Sequence, residues 1–361
     1  MAASQALTGV GQRSWGWLRG PTWDLTFVSL SVVLVALPYA GYQLMTGLGL
    51  EDSTSASVID LVVTLFIGGP HMYATFSRTV ADPDFRARHR RVVATSALIP
   101  VGVVLLGFWA FPLLLTLFFL WASVHVLHQI AFLVECYNRR APRPPSLVER
   151  AVDHAVVLTS LYPLAARRLV DGTFEVSGTA LELPPLLRRE ELVWLAAAAF
   201  CTALALFLAK TLRELAQGRA HPPKLLLIGL TVAVAFWLPA LDRLDAALQG
   251  FNAWHSFQYL GLTWYANLLA ARRGRTEELA GLRVPTDGWR FYGALLLCTL
   301  TTGLIWVLLT LLRGPLGLAP EQPYYITVLS FLLIHYYHDH FLFTKPEAIV
   351  VEPGPGDAPI R

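Results

Sequence analysis

From Trp23 onward the chain is a succession of long apolar runs joined by short polar connections, and the runs are continuous instead of striped on one face. About 18 or more residues with almost no charge, at a helical rise of ~1.5 Å, span a hydrocarbon core roughly 30 Å thick. The pattern predicts ten such helices, over 24–47, 57–79, 92–110, 113–137, 148–166, 191–211, 225–240, 247–271, 289–312 and 324–344. The first is longer than the apolar core of a secretion signal and is read as a span. Period-two alternation appears between Gly172 and Leu183, where a small surface hairpin is expected. No internal repeat is evident, and the Pro/Gly-rich stretch 346–361 is expected to be disordered. The fold class is therefore all-α, a polytopic transmembrane bundle forming a single integral domain over 1–361.

Composition agrees with this pattern. Charged residues make up 15% of the chain and apolar residues 55%, with a mean hydropathy of +0.51, whereas soluble domains carry roughly a quarter charged residues. Cys136, Cys201 and Cys298 have unrelated spacings, so neither a disulfide framework nor a thiolate metal site is suggested. A net charge of +3 without a basic face excludes nucleic acid as a partner.

The placement of charge orients the helices. Arg78, Arg86, Arg88, Arg90 and Arg91 follow the second span, and Arg139, Arg140 and Arg143 the fourth. Lys210, Arg213, Arg219 and Lys224 surround the sixth-to-seventh turn, and Arg272, Arg273 and Arg275 follow the eighth span. All four clusters fall on one side, while Glu51, Asp52, Asp242 and Asp245 lie on the other, so both termini are expected to be cytoplasmic. The expected location is a bacterial inner membrane. The 167–190 loop, with Arg167, Arg168, Arg188 and Arg189 on the outer side, runs against the rule.

Against this apolar background the histidines stand out. His89 and His221 fall in basic loops, where a solvated ring is expected; the other eight lie in the predicted spans. An ionisable group in hydrocarbon normally faces the bundle interior and has a partner. The fourth span carries His125 and His128 at i,i+3, and the tenth carries His335, His338 and Asp339 on one face, with His340 pointing away. The second span supplies His71 just after Gly68-Gly69-Pro70, where a kink should free backbone carbonyls. The eighth supplies His255 on a stripe with Asn252 and Gln258.

These four spans all run inward. His71, His128 and His338 lie about 7, 9 and 6 residues before their cytoplasmic ends, roughly 10 Å deep. His125 and His335 sit a turn deeper and His255 deeper still. Six buried imidazoles without a shared cation would each need a separate partner, so His71, His125, His128, His255, His335, His338 and Asp339 are the candidate metal ligands. His154, beside Asp153 near a helix start, reads as a packing residue.

An imidazole-rich set with one carboxylate suits iron, zinc, copper or manganese better than magnesium or calcium. Seven ligands exceed what one tetrahedral ion takes, so either two ions bind or some residues support the others from outside, as Gln129, Gln258, Tyr337 and His340 are placed to do. Arg78, at the cytoplasmic boundary below His71, is a candidate clamp for an anionic head group or a topology anchor. Trp121, Trp254, Phe257, Tyr259, Trp264, Tyr336 and Tyr337 are candidates for the walls of an apolar channel.

The HxxH pairs on membrane helices, the HxxHxH run ending the last span and the cytoplasmic side of the cluster resemble the membrane histidine-motif oxygenases, the fatty-acid desaturases and the alkane and sterol hydroxylases. Those families' HxxxH and HxxHH boxes are absent here. The resemblance implies iron, one ion or two, activating oxygen against a C–H bond of a lipidic or otherwise hydrophobic substrate taken from the membrane. Because the chain has no flavin, ferredoxin or cytochrome module, a separate electron donor is implied. His338-Asp339-His340 also resembles the late HxH of haem-copper oxidases, which makes a haem protein the alternative. A proton or divalent-cation transporter, built on the same intramembrane His, Asp and Gln, ranks third.

Overall fold

In a computed structural model the chain is almost wholly helical; the residues described are 16–346 except 142, 177–178, 182, 273, 275–277, 280–281 and 345. The expected disorder of 346–361 lies outside them, apart from Pro346. Twelve helices carry the architecture: α1 (Pro21–Gly47), α2 (Asp52–Arg78), α3 (Pro83–Arg88), α4 (Arg90–Trp109), α5 (Phe111–Arg140), α6 (Leu147–Thr159), α7 (Tyr162–Val170), α8 (Glu190–Ala216), α9 (Pro222–Ala240), α10 (Leu244–Arg272), α11 (Gly288–Leu311) and α12 (Gln322–Leu342). Two-residue hairpins, β1 (Glu175–Val176) with β2 (Thr179–Ala180) and β3 (Glu278–Leu279) with β4 (Leu282–Arg283), are the sheet content among the described residues. The first lies where the alternating stretch predicted one.

Seven helices, α1, α2, α4, α5, α8, α9 and α11, are long and apolar enough to cross a membrane. The chain is thus an integral membrane helical bundle. All ten predicted segments coincide with helix, but 148–166 is broken into α6 and α7 around Ser160 and Leu161. Pro163 explains the break, since it has no N–H for the carbonyl four residues back. The helices α10 and α12 stand outside the seven because polar residues interrupt them: Asn252, His255, Gln258 and Asn267 in one, His335, His338 and Asp339 in the other.

The helix α10 is the central post. Buried residues occur on all its sides, from Leu244 to Ala270, as expected of a helix with no solvent or lipid face. It packs against α1 and α2, while α12 lies against α4 and α2. Close approach is permitted by glycine. A Cβ on Gly250 would run into the backbone of Val35 on α1, and one on Gly69 into Thr299 of α11. Such small-residue crossings let membrane helices gain van der Waals contact where no hydrophobic force drives them together.

The helix α2 changes pitch just before its histidine. Thr64–Gly68 forms a π-helical turn, followed by Gly69 and Pro70. Pro70 cannot donate to the carbonyl of Phe66, and the Tyr292 hydroxyl donates to that oxygen instead at 2.8 Å. The predicted kink is therefore present, with one of its freed carbonyls satisfied by α11.

Candidate metal centre

Four helices each aim one imidazole at a common point. His71 on α2, His125 on α5, His255 on α10 and His335 on α12 are all buried, and each offers a ring nitrogen within 4.8 Å of the others. Their rings form a closed square, with centroids 4.8 Å apart for His71 and His255, 5.0 Å for His255 and His125, 4.9 Å for His125 and His335, and 4.3 Å for His335 and His71. Each neighbouring pair around the square meets edge to face, at interplanar angles between 71° and 81°.

The nitrogens are aimed as a cation would require. His71 Nδ1 donates to the Gly68 carbonyl at 3.3 Å, and His335 Nδ1 bonds the Thr75 hydroxyl. That leaves Nε2 of both rings free, and Nε2 of His125 and both nitrogens of His255 are likewise buried without a hydrogen-bond partner. An unsatisfied buried polar atom costs on the order of 1–3 kcal/mol. An ion that accepts one lone pair from each ring accounts for four of these five, since only one nitrogen of His255 can face it, so the residues present fit a bound metal.

Below the square lies a polar layer with a single sequence rule. The residues four positions after the histidines are Thr75, Gln129, Tyr259 and Asp339. The Thr75 and Tyr259 hydroxyls both donate to Asp339 Oδ1, at 2.9 Å and 2.6 Å, and lie 2.7 Å from each other. Residues at i and at i+4 thus meet on the same helices, so α2, α10 and α12 run parallel here. Gln129 Nε2 donates to the His255 carbonyl at 3.1 Å and to Gln258 Oε1 at 3.2 Å, and Gln258 Nε2 donates to the Val28 carbonyl at 2.7 Å. Both glutamines hold α10 in place.

Above the square lies a cavity of about 290 Å³. It is lined by the residue three positions before each histidine: Gly68, Ala122, Asn252 and Leu332. The four histidines follow this wall by three positions and are not themselves among the lining residues. Tyr336, which stacks on His125 at 4.1 Å, forms part of the wall. Leu61 and Leu120 line it and are also exposed on the bundle surface, which opens the chamber sideways.

The remaining expected site residues fall elsewhere. Asp339 lies beside the square, its unpartnered Oδ2 3.4 Å from His335 Nδ1 and 3.9 Å from His125 Nε2. His128 is not brought into the group; its ring faces His340 at 5.8 Å and Phe343 at 5.4 Å. His338 is not either: its Nδ1 is 3.1 Å from the Thr79 hydroxyl, between Phe76 and Phe85. At about 100° per residue, position i+3 is turned roughly 60° from i, and i+4 only about 40° on the other side. Once His125 and His335 point inward, Gln129 and Asp339 follow them while His128 and His338 turn away.

Counting from span ends set His255 apart, yet it is one of the four, because the helix ends are not level: His71 and His335 lie seven residues before theirs, His125 fifteen and His255 seventeen. Tyr337 bonds the Thr95 hydroxyl at 3.1 Å, away from the square. Arg78 pairs with Asp82 at 3.6 Å and reaches Asn267 Oδ1 at 3.4 Å, so it is committed to protein partners. Of the channel aromatics, Tyr336 lines the chamber and Tyr259 the polar layer, whereas Trp254 donates to Ser31 Oγ at 3.1 Å. Nor is His221 solvated, since it is buried as the N-cap of α9. Thr75 went unremarked in the sequence; the shared +4 offset is the signal that would have found it.

Comparison of the chain with protein-family models, with curated proteins and with solved structures finds no match.

Proposed function

We propose that this protein is an integral membrane metalloenzyme, an iron-dependent oxidoreductase of desaturase or hydroxylase type acting on a hydrophobic substrate. The observation that carries the proposal is the convergence of four buried imidazoles, each with an unpartnered ring nitrogen, next to an apolar chamber. His71, His125, His255 and His335 would hold one ion, with Asp339 adjacent; a second ion has no comparable group among the described residues. Imidazole donors suit iron, zinc and copper, and iron is the metal that the resemblance to membrane oxygenases implies. When bound, such an ion supplies one-electron and oxygen chemistry, with electrons from a separate donor protein or quinol.

The chain's own residues exclude water, orient the imidazoles through Gly68 and Thr75, and set the Tyr259–Asp339 hydrogen bond where a proton can be held below the site. In the proposed topology the polypeptide crosses the membrane ten times with both termini cytoplasmic, α10, α12 and the α6–α7 pair being the additional crossings. This puts the imidazoles in the cytoplasmic half and the chamber toward the outer side. The four rings crowd the space that a porphyrin would need between two axial imidazoles, which favours a metal ion over haem.

Metal analysis and an optical spectrum of detergent-purified protein test the reading. One equivalent of iron without a Soret band is expected in the parent. His71→Ala and His335→Ala should each lose at least about tenfold in metal affinity, whereas His128→Ala and His338→Ala should keep the ion. A Soret band would establish haem instead, and stable protein that takes up no metal would sink the proposal.

A further inference from the structure

The chamber has a polar far end. Asp60 and Met72, twelve residues apart on α2, both line the chamber, so it extends roughly 18 Å along that helix and reaches the level of the histidines at Tyr336, which stacks on His125. Between these ends the wall is largely apolar, with Leu65, Phe119, Leu248 and Leu332 among its residues.

A hydrogen-bond ladder runs the same way along α10. Ser256 Oγ donates to Asn252 Oδ1 at 3.3 Å, Asn252 Nδ2 to Gln249 Oε1 at 3.3 Å, and Gln249 Nε2 to Asp60 Oδ1 at 2.9 Å. Both amides therefore spend a donor in the direction of Asp60, whose Oδ1 is held while Oδ2 remains an acceptor. Asp245, which also lines the chamber, has its own cation: Arg243 pairs with it at 2.8 Å and with Asp52. Among the described residues Asp60 has no ion-pair partner.

We infer that the chamber binds an elongated apolar molecule with a hydroxyl group at one end, the hydroxyl donating to Asp60 and the chain lying toward Tyr336 and the imidazoles. A carboxylate or phosphate head would bring a second anion against Asp60 with Asp245 close by. A wholly apolar molecule would bury the aspartate's acceptor without a donor, which is costly. The inference rests on the metal-centre reading for what becomes of the chain, but not for its binding.

Trp306 lines the chamber and reports on its contents. Full-length protein in lipid nanodiscs is titrated with bromododecanol and with bromododecanoate, each referred to its partition into empty nanodiscs, and quenching of Trp306 is isolated by difference from Trp306→Phe. The alcohol should quench saturably at about tenfold lower concentration than the acid, a ~1.4 kcal/mol preference. Asp60→Asn should bring the two within about twofold. Equal affinities in the parent, an unchanged preference in Asp60→Asn, or no saturable quenching by the alcohol would overturn the inference. The His71→Ala/His335→Ala double variant, depleted of metal, should retain the preference. Protein that binds the alcohol but never metal defeats only the metal reading; metal-loaded protein indifferent to the head group defeats only this one.

Discussion

His71 and His335 each commit Nδ1 to an oxygen of the protein, the Gly68 carbonyl and the Thr75 hydroxyl, and so present Nε2 to the centre of the square. His221 meets burial differently. Its Nδ1 accepts the Lys224 backbone N–H at 3.3 Å at the start of α9, and its ring covers Gly16, whose positive φ of 70° and lack of a Cβ leave room for it. Burial, followed by the nearby Lys224 ammonium, pushes the His221 pKa down to about 4 from 6.5. An unfolded chain takes up that proton near pH 6.5, so the site's stabilisation is complete above that value and is lost as pH falls toward 4. Unfolding followed in detergent should weaken across this window by up to about 1.4 kcal/mol per pH unit. His221→Asn, which keeps a capping acceptor without titrating there, should flatten the slope; equal slopes in both proteins would refute the assignment.

Helices are tied together by charges as well as by glycine contacts. Asp153 on α6 is fully buried between Lys210 of α8, at 2.7 Å, and Lys224 of α9, at 2.8 Å. Lys224 also donates to Asn138 of α5 at 3.1 Å, and Lys210 to Glu214 at 3.0 Å. By sequence position the two lysines read as loop charges marking the cytoplasmic side; in the structure they form a nearly dehydrated cluster that joins four helices. Removing one partner of a buried pair leaves an uncompensated charge and typically costs roughly 3–5 kcal/mol. Asp153→Asn should therefore lower unfolding stability by about that amount, while Arg167→Gln, at an exposed pair with Glu190, should change it little. Equal losses in the two variants would show that the buried cluster is not a structural tie.

The proposed whole-molecule orientation rests on loop charge and is open to labelling. In a cysteine-free background, Arg188→Cys should react with a membrane-impermeant maleimide in intact cells, and Arg90→Cys only after lysis. Reaction of the Arg90 position from outside would overturn the proposed topology, and with it the cytoplasmic placement of the imidazoles.

Much of the molecule was written in the order of its residues. Apolar run length determined where the helices lie, because a chain in hydrocarbon must satisfy its backbone hydrogen bonds within each segment. Gly68-Gly69-Pro70 announced the irregular turn before His71, since proline withholds an N–H wherever it stands. The burial cost of imidazoles was enough to single out the helices that meet at the site, and His71, His125, His255 and His335 were all among the expected ligands. Which members of each HxxH pair face inward depended on the rotation of α5 and α12 about their axes, and packing sets that rotation across contacts between distant segments. Contacts such as Gly250 on Val35, Gly69 on Thr299 and Gln129 on the His255 carbonyl join residues far apart in sequence. The chamber is decided at the same level: no local pattern marks Gly68, Ala122, Asn252 and Leu332 as one wall until four helices stand side by side with their histidines level.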